Sequence, residues 1–371
     1  MVKKIVLLAT CFAWISGVYA QTNFRDLTYA EAIQAAKAEN KMVFMDFYTV
    51  WCGPCKMMMR DIFPQKAVGD YMNDKFVCIK IDAEKGEGPE LFKRYGGEAY
   101  PTFVIIDTDE KVFFTKVGAS DNGTQFISGI KTQIDPDFSP ARLRARYAEG
   151  ERTAELISTY AGMLMEQVYA KRQFDMTKRD TAFTIVREYF EGLNDVQRLS
   201  SENAFIYTAY TESSTDEIAA FMIQNCDRFP KKMQKEISAK INELYKSDIY
   251  RLLTAQAPFE ATRYNTIKQG IINAGLNSEN QYTAAFILIE SYAGHDPMAF
   301  LETCRQEYDH LNDDFKSILV SGFANLFKTE PQTVKKQAAA FLRSQLKEMN
   351  SAWLYSVAGQ LSELEGDTNV R

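Results

Sequence analysis

The chain has 371 residues, with 43 Lys and Arg against 49 Asp and Glu, a formal net charge of −6 and only two histidines. That acidic balance argues against nucleic acid or an anionic membrane surface as partner. The length suggests two domains, and His295 and His310 stand too far from the N-terminal cysteines for a Cys–His hydrolase there.

Residues 1–20 have the layout of a cleavable secretory signal: Lys3 and Lys4, an apolar run from Ile5 to Val18, then Ala20 before Gln21-Thr22. The run falls short of the roughly 20 apolar residues of a membrane span. The mature chain is therefore expected to be soluble, exported and periplasmic. A lipid anchor at Cys11 is disfavoured, because Thr10 is bulky for that cleavage and the apolar run continues past the cysteine. Losing Lys3 and Lys4 would move the charge from −6 to −8. Cleavage leaves five of the six cysteines: the pair Cys52 and Cys55, and Cys78, Cys226 and Cys304 singly. An odd, scattered set does not read as a disulfide framework. Zinc at the pair would need two more ligands at matching spacing, so no metal is expected.

From about Phe24 to Ile134 helix and strand patterns alternate. Thr28-Tyr29-Ala30-Glu31 reads as a capping box opening a helix through Glu39. Residues 41–50 form an apolar strand that ends at Trp51-Cys52-Gly53-Pro54-Cys55, and residues 55–63 have helical character. Residues 75–82 alternate as a strand, and 88–97 read as a helix with a glycine stop. Residues 101–107 and 111–118 are two strands joined by the turn Thr108-Asp109-Glu110, and 122–134 close with a helix. The order α-β-α-β-α-β-β-α predicts an α/β domain over residues 21–135. Helix-separated strands should pair in parallel, and the last hairpin should add an antiparallel edge.

This segment resembles the thioredoxin superfamily, and within it the exported thioredoxin-like domains of disulfide-interchange reductases. Four stretches carry the resemblance: Met45 to Lys56 around the cysteines, Ile81 to Phe103 leading to Pro101, Thr115 to Ala119 with its glycine, and Asp46 where the family has a buried acid. The resemblance implies a thioredoxin-like fold with a central mixed sheet, a cis bond before Pro101, and backbone groups of Tyr100 free to pair with an extended peptide. The family's kink proline is missing, with Arg60 in its place. A lysine that commonly faces the buried acid is also missing by this alignment, with Cys78 there instead. The Asp46 carboxyl should then lie higher than with that lysine, and Cys78 should be a packed, unreactive thiol.

The residues support the same chemistry on their own. A strand followed by a helix puts Cys52 at a helix N-terminus, where unpaired N–H groups and the helix dipole favour its thiolate. Pro54 fits the first turn, Gly53 leaves the approach open, and Cys55 lies one turn further in. Cys52 is the expected nucleophile and Cys55 the resolving thiol. A purely structural disulfide is the rival, but its two-residue loop offers little entropic stabilisation. Asp46 among apolar neighbours should be buried and raised in pKa, and would accept a proton from Cys55; otherwise it is a strand-end acid facing water. Trp51 would shield the sulfurs or contact substrate; simple packing is the alternative. Gly-Pro between the cysteines brings no charge or histidine to stabilise the reduced form unusually, which leans toward a reductase.

Residues 135–140 read as a linker, and beyond them strand patterns vanish. Residues 181–193, 217–229 and 298–311 are amphipathic helices, and turns at Glu149-Gly150-Glu151 and Glu191-Gly192-Leu193 join helix pairs. The expectation is an all-α helical-hairpin domain over 141–371, without a clean repeat period. Cys226 and Cys304 fall on apolar stripes and should be buried free thiols. The functional reading is an exported thiol–disulfide oxidoreductase, a protein disulfide reductase using no cofactor beyond the Cys52–Cys55 disulfide. Its helical domain would serve client selection or assembly. Disulfide-bearing client proteins are the expected partners, and a membrane electron-transfer reductase is implied by the resemblance. The alternative is a helical scaffold that keeps a thioredoxin fold mainly for docking.

Overall fold

A computed structural model describes residues 21–168, 175–349 and 351–366; the expected signal segment, with Cys11, lies outside them. A two-residue strand β1 (Phe24–Arg25) leads into α1 (Tyr29–Glu39). The capping box forms: Thr28 Oγ1 accepts from the Glu31 N–H, and the Glu31 carboxylate accepts from the Thr28 N–H at 2.8 Å. Next come β2 (Met42–Tyr48), α2 (Gly53–Met57), a π turn at Met58–Ile62, α3 (Lys66–Lys75) and β3 (Phe76–Asp82). They are followed by α4 (Gly88–Arg94), β4 (Thr102–Ile106), β5 (Val112–Val117) and α5 (Gly123–Ile134). The five strands lie in the order β1-β3-β2-β4-β5. β1 and α3 have no sequence signal: two residues cannot alternate, and Gln65, at the N-cap of α3, makes no side-chain capping bond.

The alternation predicts antiparallel pairing only at the last hairpin. In the structure β4 is also antiparallel to β2. β4 begins where β2 ends, Thr102 opposite Phe47, and runs back.

Alternate residues of β2 face two cores. Val43, Met45 and Phe47 pack with Ala32, Ala36 and Leu91 of α1 and α4. Phe44 faces the other way, onto Met58, Ile62 and Phe63 beyond the cysteines and onto Phe126 and Ile130 of α5. Side chains repeat every two residues along a strand, so Asp46 shares the Phe44 face, the one covered by the helix that carries the cysteines.

The expected linker is not one. Pro136–Phe138 is a 3-10 turn capped by Asp135, Phe138 is buried, and α6 (Pro140–Ala148) follows at once. Then α7 (Ala154–Val168) packs along α5. Gly162 comes so close that a Cβ on it would meet Ser128 Oγ at 2.2 Å. With α5 covered on this second face, the compact unit runs to Tyr189, inside α8 (Met176–Glu191), rather than ending at residue 135.

The second unit, Phe190–Arg371, is helical among the described residues. It contains α9 (Asp195–Arg198), α10 (Ala204–Ala209), α11 (Glu217–Gln224), α12 (Lys231–Leu253), α13 (Ala261–Asn273), α14 (Thr283–Ala293), α15 (Pro297–Glu307), α16 (Asp313–Leu326), α17 (Gln332–Gln345) and α18 (Ser351–Glu365). The 23-residue α12 touches α10, α11, α13, α14 and α16. Beyond it α14 packs on α15, α15 on α17, and α18 on α16 and α17, as neighbouring helical layers do. Cys304 is buried on α15, but Cys226 is only half-buried. Here the expectation fails because α11 stops at Gln224, so Cys226 sits in a 3-10 turn, off the helical stripe. Among the described residues no helix is long and apolar enough to cross a membrane.

Candidate redox site

β2 ends at Tyr48, and the short loop after it delivers Cys52 to the N-cap of α2. Cys52 Sγ accepts from the Cys55 N–H at 3.0 Å, and Pro54 occupies the first turn, where its missing N–H costs nothing. Cys52 and Cys55 form a disulfide, with S–S 2.06 Å and Cα–Cα 5.3 Å. Cys55 was expected to lie deeper; bonded together, the two are equally hidden, 3% and 4% exposed. Gly53 and Pro54 are exposed beside them, with open space where a Gly53 Cβ would lie. In place of a kink proline the helix carries the π turn, where the Phe63 N–H reaches back to the Met58 carbonyl at 2.9 Å. Such turns are another established source of helix kinks. Arg60 points outward from it and pairs with Asp61 at 2.6 Å.

Asp46 is 1% exposed, and its Oδ1 has no hydrogen-bond partner. Burial pushes the carboxyl up to about 7, against a lowering pull from Lys80. Lys80 is its register partner on β3, and the Lys80 Nζ lies 4.3 Å from the centre of the Tyr48 ring. The reading that Cys78 replaces the family's lysine is corrected by this register. Cys78 pairs with Phe44, two residues deeper in the sheet, and packs in the same core as Phe44 and Phe76. A lysine therefore does face the acid. Cys78 is a packed thiol, pushed up to about 12 by burial.

The Tyr100–Pro101 peptide is cis, and the Pro101 carbonyl accepts from the Gly118 N–H at 2.8 Å. Trp51 is 64% exposed. Its Nε1–H donates to the Glu84 carboxylate at 3.1 and 3.2 Å, and its ring meets Tyr100 edge-on at 5.7 Å between centroids. Tyr100 in turn lies on Phe92 at 4.9 Å. An apolar rim of Trp51 and Tyr100 thus stands at the approach to the disulfide. Glu84 and Phe92 are absent from the sequence reading, which places Lys80 on the Cys78 face of its strand but gives it no role. The β2–β3 register, which no linear motif carries, explains the contact: Tyr48 and Asp82 end neighbouring strands side by side, so residues just beyond each, Trp51 and Glu84, meet.

The thioredoxin-like family signature matches residues 23–108. Thioredoxin-1 of Drosophila melanogaster is 37% identical over 84 residues, 23% of this chain and 72% of that one. The chain belongs to the thioredoxin-like family. Two solved structures are similar to part of this chain. The solution structure of a candidate disulphide-isomerase from Bacteroides thetaiotaomicron is 40% identical, covers 32% of this chain and 96% of that one, and has a TM-score of 0.30. The oxidised DsbD C-terminal domain of Neisseria meningitidis is 26% identical, covers 28% of this chain and 90% of that one, and has a TM-score of 0.25. The thioredoxin-like unit holds a bonded Cys52–Cys55 pair, and everything from β5 onward lies outside the family signature.

Proposed function

We propose that the protein is an exported thiol–disulfide oxidoreductase that reduces or exchanges disulfides in client proteins. One arrangement carries this reading: the Cys52–Cys55 disulfide begins α2 on the sheet face that also buries Asp46, an acid pushed up to about 7. In the reduced protein the Cys52 thiolate, favoured by the N–H groups at the helix start, attacks one sulfur of a client disulfide. The client S–S bond breaks, a Cys52–client disulfide forms, and the other client sulfur leaves and takes a proton. Cys55 passes its proton to the Asp46 carboxylate and attacks Cys52 Sγ. The second client sulfur departs, and the Cys52–Cys55 disulfide remains. Two electrons pass to the client, so an external dithiol must restore the enzyme. A membrane electron-transfer reductase is the proposed donor in the exported compartment.

Trp51, Gly53, Pro54, Tyr100 and Pro101 are the proposed client-contact residues, and the helical unit is proposed to select clients or assemble with them. The test is insulin reduction by the chain without residues 1–20, with dithiothreitol as reductant. Acceleration over dithiothreitol alone, lost in Cys52→Ala, is the expected result; no acceleration removes the reading.

A further inference from the structure

α7 lies outside the family signature, yet it reaches the segment that supports the redox site. Glu166, near the end of α7, bonds to both sides of the Gly118 turn. Its Oε2 lies 2.5 Å from Lys116 Nζ, with the two side chains only 22% and 15% exposed. Its Oε1 accepts from Ser120 Oγ at 3.4 Å. The side chain reaches this position across Gly129 of α5, where a Cβ would stand 3.6 Å from the carboxyl carbon. The clamped segment then touches the site twice: the Gly118 N–H donates to the Pro101 carbonyl at 2.8 Å, and the Ser120 N–H donates to Met58 Sδ at 3.4 Å. Met58 begins the π turn that continues the cysteine-bearing helix.

Gly118 has φ +90°, a conformation that favours glycine, and glycine gives the backbone more freedom than any other residue. One carboxylate that holds the residues two before and two after it removes that freedom where it matters to the cis turn. We infer that Glu166 is a positioning residue: from a helix outside the thioredoxin-like core it fixes segment 116–120, and through it the Pro101 turn and the helix behind Cys52. Its kinetic consequence rests on the proposed disulfide chemistry; the clamp itself does not.

The experiment compares the mature full chain with Glu166→Ala and with the charge swap Lys116→Glu/Glu166→Lys. It reads amide hydrogen exchange at Gly118 and Ser120, and kinetics with insulin and with a small aromatic disulfide. Loss of one charge-assisted contact predicts exchange about fivefold faster at both amides and a KM for insulin about fivefold higher, with kcat and the small-disulfide rate within about twofold. The swap should recover both. Unchanged exchange in a folded Glu166→Ala overturns the inference, as does faster exchange with unchanged KM. So does a joint fall of kcat, small-disulfide rate and melting temperature that the swap leaves in place. If the unaltered protein reduces no insulin, the proposed function fails, and the exchange rates alone still decide whether the clamp exists.

Discussion

Each unit buries an aspartate, Asp46 in the sheet and Asp248 on α12, and the two are about equally hidden from water. They are held differently. Asp248 Oδ2 accepts from the N–H and the hydroxyl of Ser214 at 2.8 and 2.7 Å, and Arg263 stands 3.7 Å from Oδ1. Oδ1 lacks a hydrogen bond in both, but Asp46 has no donor pair like that of Ser214 among the described residues, and the cation on its neighbouring strand lies over the Tyr48 ring. A buried carboxylate given hydrogen-bond donors is a structural joint; one left without them is cheaper to protonate and can exchange a proton, even with a lysine on the next strand. The cysteines repeat the contrast. Cys52 and Cys55 are bonded at a helix start, whereas Cys304 is sealed in α15, its thiol raised by burial. Burial alone therefore does not mark a functional residue; what distinguishes it is which partners are withheld.

The most severe way to break this contrast is Cys52→Ala. Insulin reduction should fall at least about a thousandfold, to the background of the added dithiol, while Cys304→Ala stays within about twofold. Both are read from the insulin turbidity rate.

The two aspartates should differ next in stability. The folded Asp46 carboxyl is raised from 3.8 to about 7, so between these values the folded state keeps a proton that the unfolded chain has released. Its contribution favours folding below the unfolded value and is lost as pH rises through about 7, a swing of about 4 kcal/mol. Urea titrations of Asp46→Asn should lack that fall, so the variant gains about 4 kcal/mol on the unaltered protein between pH 4 and pH 8. Asp248→Ala should instead lose about 2–3 kcal/mol by stranding Ser214 and Arg263. Its insulin reduction per folded molecule should not change.

The smallest effect sharpens the electrostatics. Lys80→Met removes the lowering pull on Asp46, so the acid limb of the resolution rate should move upward by up to about one pH unit. Stopped-flow measurement of resolution against pH checks this. An unmoved limb would mean that Lys80 does not act on Asp46.

Linear motifs sufficed for the cysteine pair, Asp46 and the Pro101 turn, because each is a short string with local geometry. The contacts of Lys80 and Glu84 were not legible, because they depend on how β2 and β3 pair, more than 30 residues apart in sequence. The docking of α7 was hidden in a different way. Ser128, Gly129 and Gly162 look like neutral small residues until two helices approach within the space they leave. The misplaced linker has a third cause. Pro136 and Pro140 read as turn residues, but each starts a helical turn, where a proline fits equally well.

The central claim is that Cys52 attacks a client disulfide and Cys55 completes the exchange. Incubating reduced Cys55→Ala with a disulfide-bearing protein, followed by mass spectrometry of thiol-blocked peptides, tests it most directly. The account predicts one mixed disulfide per chain, on Cys52, stable until a dithiol is added and absent from the Cys52→Ala/Cys55→Ala protein. No adduct, or an equal adduct on half-buried Cys226 in both proteins, would contradict it.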